Sequence, residues 1–166
     1  VLDERNGNLR LDDLQKLTGM GMARACLILA ALEFCRRRLK PDHRKINFPV
    51  DALHFIQHYA DRKQEHFLCL SLNGANEVIA TRVVSVGLVN QSQVHPREVY
   101  ADPLTDRATA VIIAHNHPSG HLTPSQEDIA VTQHLQRAGE LLGIALLDHL
   151  VFSTTGYYSF LEQGLL

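Results

Sequence analysis

Apolar positions recur along this chain with two different periods. Leu9, Leu11, Leu14 and Leu17 keep a helix-compatible spacing that stops at Thr18-Gly19. Beyond Gly21, the stretch MARACLILAALE (residues 22–33) is dense in strong helix formers. It runs into Arg36-Arg37-Arg38-Leu39-Lys40 and halts at Pro41. Arginines in a last turn complement the negative end of a helix dipole, which suits a solvated helix end. Residues 1–40 therefore predict a helical segment. Residues 41–49, bounded by two prolines and alternating in charge, read as a linker.

The remaining residues, 50–166, predict one α/β domain: a mixed β-sheet flanked by helices. A helix is expected over 50–59, entered at Pro49. From Glu65 the period falls to two. Residues 67–72 and 78–86 predict a β-hairpin around Asn73-Gly74-Ala75-Asn76. Residues 96–107 predict a helix that Pro103 must end or distort. Ala108 to Ala114 is a short continuous apolar run, as in a strand covered on both faces. A long helix follows over 124–142. Thr123 reads as its N-cap, Pro124 as its first residue, Gln126 as the capping-box partner and Gly143 as its C-terminal stop. Strands are expected over 144–152 and 157–161.

The totals narrow the class. A chain of 166 residues, 45% hydrophobic and 20% charged, is long enough for one main domain with a real core. No run approaches the roughly 18 apolar residues of a membrane span. Cys26, Cys35 and Cys69 are odd in number, sit in apolar surroundings and form no CxxC pair. That pattern suits reduced thiols in a cytoplasmic protein and argues against a thiolate zinc site. The charged start, Val1-Leu2-Asp3-Glu4-Arg5, does not resemble a signal peptide and reads as the interior of a longer protein. Residues 1–45 carry ten Lys/Arg against six Asp/Glu, and residues 46–166 six against twelve. Any nucleic-acid contact therefore belongs to the front.

The candidate chemistry lies in AHNHPSGHLTPSQEDI, residues 114–129. On a strand, residues two apart share a side, so His115 and His117 present both imidazoles to one place. Ser125 and Asp128, three apart, share a face of the next helix and can look back at the strand end. Taken singly, each residue has an ordinary explanation: a strand-end histidine, a first-turn acid, a helix-start serine. Taken together, His115, His117 and Asp128 supply three ligands to one metal ion and leave a fourth position for water, as catalytic zinc sites do.

The spacing H-x-H-x7-S-x2-D, matched by His115, His117, Ser125 and Asp128, resembles the JAMM (MPN+) metalloprotease motif. VHPRE (94–98), AHNHPSG (114–120), TPSQEDI and LLDHLVF (146–152) resemble the RadC family, bacterial proteins long labelled as DNA repair proteins. The resemblance covers about residues 46–166. It implies a cytidine-deaminase-like JAMM/MPN fold and one Zn2+ held by His115, His117 and Asp128. It also implies an upstream glutamate serving the metal-activated water. That motif position falls on Glu65, with Glu98 as its rival. Ser125 is then placed to donate to a developing oxyanion. The implied activity is hydrolysis of a peptide or isopeptide bond in an unidentified peptide or protein.

A different class of function stays open. LTGMGMARACLILAALEFCRRR resembles the second half of a helix-hairpin-helix element, and free amides after Gly19-x-Gly21 suit a DNA phosphate. Residues 19–45 would then make weak, nonspecific DNA contact, with the metal site auxiliary. A turn between two packed helices accounts for the same glycines. A zinc deaminase is disfavoured, because it needs H-x-E and P-C-x-x-C. Asp148 and His149 read either as a buried pair bridging strands or as orienters of a metal ligand. His95 and Arg97 are candidates to line the same cleft, and His121 is a spare ligand candidate.

Overall fold

A computed structural model of the chain describes residues 14–17, 20–38, 45–87 and 94–166. The expected helical turns over 1–13, Gly19 of the G-x-G pair and residues 41–44 of the expected linker lie outside the described residues. The chain divides into two compact units, Val1–Asp42 and His43–Leu166. In the first, α1 (Met22–Arg38) forms over the alanine- and leucine-rich stretch, with Ala25 wholly buried.

The second unit starts inside the expected linker. Lys45 forms a bridge with Glu77, the Ile46 amide donates to Asn76 O at 2.8 Å, and Ile46 is buried in the core. Helix α2 (Pro49–Ile56) begins at a proline, which needs no amide donor there, and ends in a 3-10 turn over Gln57–Tyr59.

Strands β1 (His66–Leu72) and β2 (Val78–Val86) form the expected antiparallel hairpin. Its turn is tied by Asn73 Oδ1, which accepts from the amides of Ala75 and Glu77 at 2.9 and 3.0 Å. Helix α3 (Pro96–Thr105) runs through Pro103 rather than stopping at it. The Asp106 amide still donates to Asp102 O at 2.8 Å, so the missing proline donor costs one bond in the last turns of the helix. The expected extension to residue 107 fails because Arg107 takes φ 54°.

Strands β3 (Ala110–Asn116), β4 (Ala145–Ser153) and β5 (Gly156–Ser159) follow, with α4 (Gln126–Leu142) between β3 and β4. Among the described residues, five strands make one sheet in the order β2-β1-β3-β4-β5. The β3–β4 pair is parallel, as a helical crossover requires, and the other pairs are antiparallel. Every residue of β3 is buried, which explains its unbroken apolar run.

Alternation along the strands divides the core in two. Leu68, Leu70, Leu72, Ile112, Ala114, Leu150 and Phe152 pack with Ala52 and Ile56 of α2 on one face. Phe67, Cys69, Val111 and Ile113 pack with Val99 and Tyr100 of α3 and Val131 and Leu135 of α4 on the other. Odd-numbered residues of β3 thus point toward α4, and His115 is the last of them within the strand.

Candidate metal centre

Helix α4 does not begin where its sequence suggests. Thr123 is not the N-cap and Pro124 is not helical: Ser125 caps a helix whose first residue is Gln126. The capping box closes with Asp128 instead of Gln126. Ser125 Oγ accepts from the Asp128 amide at 3.1 Å, and Asp128 Oδ2 accepts from both the Ser125 amide and hydroxyl at 2.7 Å. A box built from Ser125 uses the acid as its third residue, which satisfies two amides at once. One oxygen of Asp128 is thereby committed to the cap, and Oδ1 faces His115 Nε2 at 3.3 Å.

The two histidines come to the same point. His115 is fully buried, and its Nε2 lies 3.0 Å from His117 Nε2. His117 follows the end of β3, where its amide donates to Phe152 O at 2.9 Å. Its ring is turned by the loop beyond: Gly120, at φ 80°, bends the chain back so that His121 O lies 2.6 Å from His117 Nδ1. A carbonyl only accepts, so Nδ1 carries a proton, and in the neutral ring Nε2 then keeps the lone pair. His121 therefore contributes its backbone, while its side chain is exposed.

Ligand atoms of His115, His117 and Asp128 all lie within 4.8 Å of one another. Burial holds the His115 pKa down to about 4, against the pull of Asp128 and with a further push from His117. The imidazole is thus neutral at neutral pH, the form that binds metals. Two nitrogens and one carboxylate oxygen around one point suit a divalent transition metal. No thiolate or additional carboxylate joins the group among the described residues.

Glu65 lies immediately before β1. Phe67 pairs with His115 at the end of the β1–β3 ladder, and Glu65 precedes Phe67 by two residues, just outside β1. Glu65 O accepts from Gly87 N at 2.9 Å, which ties the backbone there to the end of β2. Glu65 is half-buried, and the Phe67 ring stacks against His115 with centroids 6.3 Å apart. Glu98 sits elsewhere. It pairs with Arg97 at 3.0 Å and lines a cleft of about 280 Å³ with Cys69, Ser71, Arg82 and Asp102. His95 caps α3 by accepting from the Arg97 amide, and the convergent trio includes neither His95 nor Arg97.

Asp148 and His149 part company. Asp148 accepts from Ser159 Oγ at 2.6 Å and from the amides of His149 and Leu161 at 2.7 and 3.0 Å, fastening the C-terminal turn. His149 turns to the other side and lies behind His115, with its Nε2 at 2.8 Å from His115 Nδ1. Two residues that local sequence reasoning did not single out complete the surroundings. Thr132 touches both Asp128 O and His149 Nδ1 at 2.6 Å. Asn116 reaches back to the segment before β1, accepting from the His66 amide at 2.7 Å and donating to Gln64 O at 3.1 Å and Arg62 O at 3.3 Å. Thr132 follows Asp128 by four, a helical neighbour of the aspartate, and that spacing was its available signal.

Residues 46–165 match the protein family described as "RadC-like JAB domain". The mixed sheet with helices on both faces is consistent with a JAB/MPN-like fold. Similar proteins include one from Methanospirillum hungatei, 46% identical over 86% of this chain and 65% of that protein. One from Trichlorobacter lovleyi is 43% identical over 100% of this chain and 76% of its own length. A Bacillus licheniformis protein is 45% identical over 93% of this chain and 71% of its length. Each is named only as a UPF0758 protein. The chain therefore spans about two thirds to three quarters of these relatives. Among the described residues, no helix is long and apolar enough to cross a membrane.

Proposed function

The chain belongs to the RadC family, and on that premise we propose that it is a zinc-dependent hydrolase cleaving a peptide or isopeptide bond. The observation that carries this reading is the convergence of His115 Nε2, His117 Nε2 and an Asp128 oxygen within 4.8 Å. Hydrolytic chemistry is typical of JAB domains. His115, His117 and Asp128 would hold the ion. Zinc bound there supplies Lewis acidity and brings hydroxide within reach of neutral pH.

The protein's own groups do the rest. Glu65 takes the proton of the attacking water and returns it to the departing amine. Asn116 fixes the backbone that carries Glu65, through three hydrogen bonds to residues 62–66. Ser125 offers its hydroxyl to the carbonyl oxygen as charge develops. In the free protein the hydroxyl donates to Asp128 Oδ2, so this role requires the bond to be exchanged.

Metal analysis of the purified protein beside His115→Ala tests the reading, followed by a peptide and isopeptide panel with and without a chelator. About one zinc per chain, lost in the variant, and chelator-sensitive cleavage are expected. A wild type that takes up no divalent metal overturns it. The charge asymmetry supports a second reading, in which residues 19–45 contact DNA backbone. A salt-sensitive mobility shift that vanishes on deleting residues 1–40 would favour it.

A further inference from the structure

Behind the convergent ligand atoms runs a chain of hydrogen bonds with a single polarity. Thr132 Oγ1 lies 2.6 Å from Asp128 O and 2.6 Å from His149 Nδ1, and His149 Nε2 lies 2.8 Å from His115 Nδ1. Threonine has one hydroxyl proton, and the Asp128 carbonyl can only accept it. His149 Nδ1 must then carry a proton and donate to Thr132. A neutral imidazole has one N–H, so His149 Nε2 accepts and His115 Nδ1 donates. His115 Nε2 is left with a lone pair, aimed at the same place as that of His117 Nε2. Each polarity is thus anchored on a backbone carbonyl, Asp128 O for His115 and His121 O for His117.

We propose that Thr132 and His149 are positioning residues that hold His115 in the one tautomer able to bind a divalent cation through Nε2. The inference rests on the metal reading above and goes one layer deeper. With the chain reversed, Thr132 would donate to His149 Nδ1, His149 Nε2 to His115 Nδ1, and an N–H would occupy the ligand position. Packing keeps His149 in place for the task. The ring is wholly buried, stacked on Phe160 with centroids 4.7 Å apart and edge-on to Phe67 at 5.8 Å. Water therefore has no access to replace the imidazole as acceptor behind His115.

Zinc affinity, measured by competition with a chromophoric chelator, separates the possibilities in the wild type, His115→Ala, Thr132→Val, Thr132→Ser and His149→Phe. Thr132→Val and His149→Phe are expected to weaken zinc binding by about ten- to hundred-fold, the usual effect of losing a partner behind a ligating histidine. Thr132→Ser, which restores the hydroxyl, should bind as the wild type does. Nitrogen-15 NMR of the zinc-loaded wild type should show His115 protonated at Nδ1 and metal-bound at Nε2, a readout that survives if a variant fails to fold. Folded Thr132→Val and His149→Phe proteins that bind zinc within about two-fold of wild type overturn the inference. So does an unprotonated His115 Nδ1. If the wild type binds zinc and His115→Ala does not, such a result leaves the metal reading standing. If the wild type binds none, both fall together.

Discussion

Ser125 and Asp128 hold each other: the serine amide and hydroxyl both donate to Asp128 Oδ2 at 2.7 Å, and the aspartate amide returns a bond to Ser125 Oγ at 3.1 Å. One carboxylate oxygen serves the helix and the other faces His115. Helix capping and ligand orientation are therefore the same structural act. Ser125→Ala is expected to cost about 1 kcal/mol of unfolding free energy through loss of the cap. It should also weaken zinc binding, because the carboxylate loses a donor that aims it. Urea unfolding of the metal-free protein measures the first effect and chelator competition the second. A variant with wild-type values in both would detach Ser125 from the site.

Glu65→Gln separates holding the ion from moving the proton. Glutamine preserves the shape but cannot accept a proton from water. The variant is expected to retain zinc stoichiometry and to lose turnover by about a hundred- to ten-thousand-fold, the usual range for a missing general base. Glu98→Gln, altered in the cleft beside Arg82 and Asp102, should leave turnover unchanged. Full activity in Glu65→Gln would remove Glu65 from its role.

Asn116 tests the tether. Its side chain points away from the imidazoles yet satisfies one amide and two carbonyls of residues 62–66. Asn116→Ala is expected to destabilise the fold by about 1–3 kcal/mol, because a largely enclosed amide loses its acceptor. Turnover should fall further than zinc affinity, since the segment released carries Glu65 and none of the three ligands. Hydrogen exchange at His66 would report the loosening directly.

Gly139 probes the packing of α4 against α3 and the start of β4. A Cβ there would collide with the Ile144 carbonyl and the Tyr100 hydroxyl, which donates to Leu135 O at 2.8 Å. Replacing a helical glycine by alanine ordinarily gains up to about 1 kcal/mol. Overpacking costs about 1–3 kcal/mol, and here the obstructing atoms are a backbone oxygen and a buried ring, neither of which yields easily. Gly139→Ala should therefore lower the urea midpoint, with the slope unchanged.

Arg82 and Asp106 give a pH signature away from the metal centre. The guanidinium makes two hydrogen bonds to the carboxylate, one of them Arg82 Nη2 to Oδ1 at 2.9 Å. That pairing holds the Asp106 pKa below its ordinary 3.8. A carboxylate with a depressed folded pKa contributes stability that is present above 3.8 and lost as pH falls through the folded value. Asp106→Asn is expected to cost about 2 kcal/mol at neutral pH, the scale of a hydrogen bond to a charged partner. The cost should shrink toward zero in strong acid. Urea melts across pH 2–7 decide it.

Much of the fold could be read from local periodicity. The hairpin, the buried run of β3 and the long helix ended by Gly143 all follow from patterns that residues within a turn or a strand impose on themselves. Boundaries were less legible. The N-cap of α4 moved from Thr123 to Ser125, because the box with Asp128 satisfies the amides that Gln126 would have served. Ile46 left the linker because its side chain finds the core beside α2 and β1, a contact no window around residue 46 contains.

For the site, the order of residues alone determined which side chains are able to bind a cation: two imidazoles on one side of a strand and an acid one turn into the next helix. Spacing along a regular element fixes relative direction, so that much needs no folded chain. What only the tertiary structure decided is everything that crosses between elements. The antiparallel register of β1 against β3 sets Phe67 against His115, and the parallel pairing of β3 with β4 brings His149 behind His115. The docking of α4 then sets Thr132 against His149. These contacts join residues 17 to 48 positions apart, and only the burial of a shared core brings such distant groups together.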